Sequence, residues 1–110
     1  MLKKLNINKQ LHILIVQDKE EVIVAHCLDM DIVAQGRTEK AAVEELKALI
    51  QTQLEYCLEN DMLETAFRPA PREYWDQFYS GHQRELVSLL GKQKFPIHKL
   101  TSNLEVCHAG

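Results

Sequence analysis

The sequence has few of the residues that mark unusual protein classes, with 3 cysteines, 3 prolines and 4 glycines among 110 residues. So little glycine and proline excludes a collagen-like chain, and so few cysteines exclude a disulfide-dense mini-protein. No run approaches the roughly 20 apolar residues that a membrane-spanning helix needs. The first seven residues lack the apolar core of a secretory signal, because Asn8, Lys9 and Gln10 follow directly. We therefore expect neither a membrane span nor a leader.

Motifs for catalysis, phosphate binding and metal binding are also missing from the sequence. The glycines are not clustered as in a phosphate-binding loop, and neither HExxH nor zinc-ribbon spacing occurs. The cysteines, Cys27, Cys57 and Cys107, are odd in number and have no CxxC spacing, which is typical of reduced thiols in a cytoplasm. The sequence predicts a cytoplasmic protein with no catalytic residue, no cofactor and no metal site.

Composition and charge indicate one small globular domain with an acidic body. Hydrophobic residues make up 45% and charged residues 26%, as in ordinary globular proteins. Residues 1–67 carry 7 Lys and Arg against 12 Asp and Glu, whereas residues 68–110 carry 6 against 4. The change falls at Arg68-Pro69-Ala70-Pro71, a rigid stretch. We therefore divide the chain into a body, residues 1–68, and a helical extension, residues 69–110, that packs on the body or on another copy.

Three short aliphatic runs predict an antiparallel meander. Leu11 to Gln17 and Glu21 to Cys27 are rich in branched residues and are separated by polar residues, and Ile32 to Gln35 ends at Gly36. The first two runs are apolar on both alternating faces. A sheet of such strands must be covered on both sides.

The most regular pattern in the chain predicts a long helix that covers one of those faces. Thr38 suits the N-cap and Glu39 the first turn, and the pattern runs to about Asn60. Apolar residues recur at spacings of three and four without glycine or proline, at Val43, Leu46, Ile50, Leu54 and Cys57.

The C-terminal part holds most of the aromatic residues. We expect a short edge strand near Thr65 to Phe67, a helix opened by Pro71, a further helix over Arg84 to Leu90, and a late strand around Leu104 to Cys107. The aromatic side chains of the Pro71 helix either cover the second sheet face or form an oligomer interface. That predicted interface comprises Tyr74, Trp75, Phe78 and Tyr79.

The stretch from Glu21 to Asn60 resembles the HicB-type antitoxin domain of bacterial toxin–antitoxin systems. Gly36, Thr38 and Ala41 match the Gly-x-Thr turn that leads from an extended ribbon into a helix in that family. The resemblance implies a partial ribonuclease-H-like fold with the element order β-β-β-α-β. It is to the short, stand-alone form of the family. The expected fold class is α+β, with a three- to four-stranded antiparallel sheet, one long helix on one face and a C-terminal aromatic helix.

The resemblance also implies a function, that of a non-catalytic protein that neutralises a small basic RNA-cleaving toxin. An acidic body favours a basic partner electrostatically. We predict the partner-binding residues Asp29, Asp31, Glu44, Glu55 and Glu59. Longer family members append an operator-binding domain, but no helix-turn-helix is recognisable after Pro69, so we do not expect direct DNA binding.

Two other functions stay open at this point. One is a metal-dependent nuclease of the ribonuclease-H-like type, which would use Asp29, Asp31 and His26. The other is a self-associating structural protein, a dimer or tetramer with no toxin partner. Magnesium-stimulated RNA cleavage would support the first, and a stable oligomer without a stoichiometric partner would support the second.

Overall fold

A computed structural model describes residues 10–17, 20–80, 84–88 and 103–108. Five strands and three helices make up this part of the chain and give the predicted α+β fold. In chain order they are β1 Leu11–Gln17, β2 Ile23–Cys27, β3 Ile32–Gly36, α1 Glu39–Glu59, α2 Leu63–Ala66, α3 Arg72–Ser80, β4 Arg84–Ser88 and β5 Asn103–His108.

All five strands join one mixed sheet in the order β3-β2-β1-β5-β4. The meander β1-β2-β3 is antiparallel as predicted, and β4 pairs antiparallel with β5. Among the described residues the sheet has one strand more than the three to four expected, and it is antiparallel except where β5 runs parallel to β1. The reason lies in β1, which is apolar on both faces and therefore takes a central place with a neighbour on each side.

Two predicted elements are replaced by others. The expected edge strand near Thr65 is the short helix α2, because the amide and hydroxyl of Thr65 both bond back to the carbonyl oxygen of Met62. The helix expected over Arg84 to Leu90 is strand β4 at residues 84–88, and residues 89–90 lie outside the described part. A short apolar run has no decisive period, and pairing with β5 determines its conformation. The extension, residues 69–110, is thus not purely helical.

The turn from β3 into α1 is built as the sequence pattern predicts. The hydroxyl of Thr38 accepts the amide of Ala41 at 3.0 Å, which caps the helix. A Cβ atom at Gly36 would lie 2.8 Å from the backbone nitrogen of Ala42, so only glycine leaves room for the start of the helix.

The two faces of the sheet are covered by different helices. Helix α1 packs on β2 and β3 and closes an apolar core that includes Ile13, Ala25, Leu46 and Ile50. Helix α3 covers the other face with a smaller cluster of Leu14, Leu28, Ala70, Phe78 and Cys107. The expected double coverage is therefore confirmed, and the aromatic segment supplies the second layer.

Candidate functional site

The predicted partner-binding glutamates share the solvent side of α1. At 3.6 residues per turn, Glu44, Glu55 and Glu59 fall within about 60° of arc around the helix axis. This arc lies opposite the buried stripe that contacts the sheet. Glu44 is paired with Lys47 at 3.2 Å, an exposed i,i+3 ion pair. The structure thus places these three side chains on one side of α1, and their role in binding stays a prediction.

Negative charge is concentrated at the C-terminal end of α1. Partial burial and the neighbouring carboxylate of Glu59 raise the pKa of Glu55 above its ordinary value. The last turn of the helix contains no basic residue. The C-terminal end of a helix also carries a partial negative charge from its unpaired carbonyl groups. Two carboxylates therefore lie close to each other and to the partial negative charge of the helix end, and the last turn has no cation to offset them.

A cleft of about 460 Å³ opens beside this acidic end. The β2–β3 turn, the last two turns of α1 and the α2 region form its walls. Tyr56 and Met62 line the cleft, and their side chains are 55% and 42% exposed. Its charged residues are Asp31 and Arg68. The cleft thus combines apolar walls with one charge of each sign.

Asp31 stays at the surface, as predicted for a partner-binding residue. Its Oδ1 atom lies 2.6 Å from Nε2 of His26, and 45% of its side chain remains exposed. Its backbone has a φ of 53°, a left-handed conformation that aspartate tolerates better than most residues. Asp31 therefore lines the cleft at this turn, while its carboxylate is held against His26.

Asp29 is placed differently from the prediction. It is only 5% exposed, and its Oδ1 accepts the backbone amide of His12 at 2.6 Å. The same carboxylate lies 3.1 Å from Nδ1 of the His12 ring. A buried carboxylate that already has these partners is not available to another protein. Asp29 is therefore corrected from a partner-binding residue to one that ties the β2–β3 turn to the start of β1.

The three residues of the nuclease alternative do not converge. His26 pairs with Asp31, whereas Asp29 pairs with His12. Among the described residues, no group of three or more His, Cys, Asp or Glu side chains is arranged to hold a metal ion. Asp29 and Asp31 thus belong to two separate histidine–carboxylate pairs.

The aromatic residues of α3 divide into buried and exposed positions. Phe78 is fully buried, and its ring contacts His12 edge-on at 5.3 Å between ring centroids. Trp75 and Tyr74 are half-buried over His12 and His26 respectively. Tyr79 is 59% exposed. Phe78 is therefore corrected from an interface residue to a core residue, and the interface role of the other three stays a prediction.

Sequence reasoning missed two features of this region. His12 bridges two carboxylates, since its Nε2 lies 3.9 Å from Glu105 while its Nδ1 faces Asp29. No spacing rule links residues 12, 29 and 105, so only the parallel pairing of β1 with β5 reveals the cluster. The exposed Tyr56 on α1 was a weaker omission, because it lies just outside the regular apolar stripe of that helix.

Comparisons with known proteins neither support nor oppose these interpretations. No protein-family model matches the chain, and searches of curated proteins and of solved structures find no match either. Among the described residues, no helix has both the length and the apolar character to cross a membrane. Cys27, Cys57 and Cys107 are buried and form no disulfide, and all three lie in the described part of the chain.

Proposed function

We propose that this chain is a non-catalytic, HicB-like binding protein that neutralises a small basic RNA-cleaving toxin in the cytoplasm. The acidic face of α1, with Glu44, Glu55 and Glu59, is the proposed binding surface, and Asp31 extends it at the neighbouring turn. The nature of the partner follows from the resemblance of residues 21–60 to the HicB-type domain. Reduced, buried cysteines are consistent with a cytoplasmic location.

One observation carries this proposal, the uncompensated negative charge at the end of α1. Glu55 and Glu59 lie one turn apart, and burial together with the carboxylate of Glu59 raises the pKa of Glu55. A chain selected for stability alone gains from a lysine or arginine in the last turn of a helix. A basic protein on this surface would supply the missing cation, so the arrangement costs the free chain stability and favours the complex.

The order of the elements gives further support. Three antiparallel strands lead through Gly36 and the Thr38 cap into one long helix, and a later strand joins the same sheet. The resemblance implies the order β-β-β-α-β, and here α2, α3 and β4 stand between α1 and β5. Strand β4 and helix α3 are additions to it, and α3 covers the sheet face opposite to α1.

The experiment that tests the function begins with the full chain carrying an affinity tag in its native host. Mass spectrometry of the purified material should identify a small basic protein at a fixed molar ratio. That protein alone should cleave RNA, and added chain should stop the cleavage at the same ratio. If the stoichiometric partner cleaves no RNA, or if the chain leaves its cleavage unchanged, the antitoxin function is wrong.

The purified chain should itself be tested against RNA with magnesium in the same assay. We expect no cleavage, because Asp29 and Asp31 pair with different histidines. Cleavage by the wild-type chain that is lost in Asp29→Asn, with the fold intact by circular dichroism, would instead establish the nuclease alternative.

A further inference from the structure

The cleft beside the end of α1 has the composition of a site that recognises a segment of another protein. Tyr56 and Met62 line it, so two of the five large hydrophobic side chains that the described residues expose lie in one depression. Tyrosine is enriched at the energetic centres of protein interfaces, and the flexible thioether of methionine adapts to varied partners. The volume of about 460 Å³ falls within the usual range of binding clefts.

The inner wall of the cleft suits an apolar occupant. Cys57 and Ala66 line it and are themselves buried in the core. The polar lining residues Gln53 and Thr65 already bond within the chain, Gln53 to the sulfur of Cys57 and Thr65 to the carbonyl oxygen of Met62. A large apolar side chain can therefore enter without leaving these polar groups unpaired.

Charges of opposite sign stand on two different walls of the cleft. On the α1 wall, Glu59 is exposed and lies three residues after Tyr56, which makes the two side chains neighbours on the helix surface. On the α2 wall, Arg68 lines the cleft and is exposed. Among the described residues, no acidic side chain forms an ion pair with Arg68. Asp31 contributes less, because its carboxylate is held against His26.

We propose that this cleft binds a segment of the toxin in which one large apolar residue stands between a basic residue and an acidic residue. The apolar side chain enters between Tyr56 and Met62, the basic residue faces Glu59, and the acidic residue faces Arg68. This inference rests on the proposed function and adds specificity to it. The acidic face of α1 attracts any basic protein, whereas the cleft selects one that presents this segment.

Charge complementarity commits the cleft to a basic protein as its occupant. The last turn of α1 contains no basic residue, and Glu55 and Glu59 lie there one turn apart. An uncharged small molecule in the cleft would leave these carboxylates as they are, whereas a lysine or arginine beside the apolar anchor offsets them. An apolar anchor within a charged rim is also the usual arrangement of an interface hot spot.

Methionine methyl signals in NMR spectra report directly on the cleft. The chain has 3 methionines, and two of them, Met30 and Met62, line the cleft. The full chain with labelled methionine methyl groups is titrated with two synthetic peptides, acetyl-Lys-Lys-Leu-Glu-Glu-amide and acetyl-Glu-Glu-Leu-Lys-Lys-amide, which offer the segment in both chain directions. We expect at least one of them to shift the Met62 signal in a saturable way at millimolar concentrations. The same peptide with serine in place of leucine should have little effect.

Substitutions in the cleft separate the apolar anchor from the charges. Tyr56→Ser should weaken binding of the peptide by about tenfold or more. Arg68→Glu reverses one exposed charge and should weaken it by about threefold. Tyr79→Ser and Arg72→Glu are the matched controls, because they change an exposed tyrosine and an exposed arginine on α3, outside the cleft. Both controls should leave binding unchanged, and circular dichroism checks that all four variants fold.

The native partner separates this inference from the proposed function. Tyr56→Ser should lower the affinity for the captured toxin by about tenfold or more, while Tyr79→Ser should not. A toxin that binds folded Tyr56→Ser as tightly as the wild type would overturn the role of the cleft and leave the proposed function standing. Saturable binding of the peptide with no RNA-cleaving partner in the host would contradict the proposed function and leave the cleft as a peptide site.

Three results with the purified chain would also overturn the inference. One is a Met62 signal that neither peptide shifts, and another is an equal response to the leucine and serine peptides. The third is a Met62 shift that depends on the concentration of the chain alone, which would identify a second copy as the occupant.

Discussion

The two faces of the sheet are covered in different ways, although both are closed by helices from the same chain. The α1 face is mainly apolar, with residues such as Ile13, Leu46 and Ile50 fully buried, and it also carries a contact between His108 and Glu39 at the start of α1. The α3 face mixes apolar residues with His12 and His26, each paired with a carboxylate and covered by an aromatic ring. The first depends mainly on the hydrophobic effect, whereas the second depends more on the geometry of individual polar contacts.

This difference explains where the acidic surface lies. Helix α1 is long and amphipathic, so its outer side is free to carry charge while its inner side holds the core. Helix α3 has 9 residues and secures its face through aromatic rings and polar pairs. The proposed binding surface therefore lies on the helix that also closes the larger core, while α3 mainly closes the second face.

The largest effect is expected from a substitution at the centre of the α3 face. Phe78 is fully buried between Leu14, Cys107 and the His12 ring. Phe78→Ala should lower the free energy of unfolding by about 3–5 kcal/mol, measured by urea titration. Tyr79→Ala is the control on the same helix and should change it by about 0.5 kcal/mol or less, because Tyr79 is largely exposed. Equal effects of the two substitutions would contradict the assignment of Phe78 to the core.

A smaller loss of stability is expected when a polar contact of the α3 face is removed and its apolar core is left intact. Asp29→Ala removes the acceptor for the His12 amide and ring and should cost about 1–3 kcal/mol, the usual penalty for orphaned buried donors. Asp29→Asn keeps an acceptor oxygen and should cost less. Chemical denaturation of both variants checks this order, and a neutral Asp29→Ala would show that the pair does not stabilise the fold.

The start of α1 offers a third comparison, independent of both faces. Thr38→Ala removes the hydroxyl that accepts the Ala41 amide and should cost about 1 kcal/mol. Thr38→Ser keeps the hydroxyl and should stay close to wild type. Thermal unfolding of the two variants is sufficient, and similar losses in both would assign the effect to the threonine methyl group and not to the cap.

The smallest expected effect concerns pH and the acidic end of α1. Because burial and Glu59 raise the pKa of Glu55, the folded chain binds this proton more tightly than the unfolded chain does. Stability therefore falls as pH rises from the ordinary value of 4.5 through the raised value, and the loss is complete at neutral pH. Glu55→Gln should thus stabilise the chain at pH 7, within the range of about 0.5 kcal/mol for surface changes.

Below pH 4.5 this gain should shrink, because the wild-type carboxyl then becomes protonated in both states. Urea titrations of both proteins at pH 7 and pH 4 measure the difference. Glu44→Gln, which breaks the ion pair with Lys47, provides a matched loss of charge that should not stabilise the chain. A gain for Glu55→Gln that persists unchanged at the lower pH would have another cause.

The elements with a regular pattern could be predicted from the sequence. The bounds of β1, β3 and α1 agree with the structure within a residue, because alternation, helical spacing and the Thr38 cap act locally. Strand β4 and helix α2 could not be predicted, since such short apolar segments adopt the structure that their tertiary partners impose. The parallel pairing of β5 with β1 depends on residues about 90 apart in the chain and has no local signal.

The residues of the candidate site also divide into those that could be predicted from the sequence and those that could not. The acidic side of α1 could be predicted, because helical spacing alone groups Glu44, Glu55 and Glu59. The burial of Asp29 could not, since aspartate in a turn usually faces solvent. Its position depends on the approach of the β2–β3 turn to the start of β1, where the amide of His12 needs an acceptor.

The measurement that tests the central claim most directly is the capture of the native partner by three versions of the chain. These are the wild type, Glu55→Gln with Glu59→Gln on α1, and Glu73→Gln with Asp76→Asn on the exposed side of α3. Both variants lose two carboxylates, so they differ only in the face that changes. We predict that a small basic protein stays with the wild type and the α3 variant and is lost from the α1 variant. Equal capture by all three, or loss from the α3 variant alone, would contradict binding at the acidic face of α1.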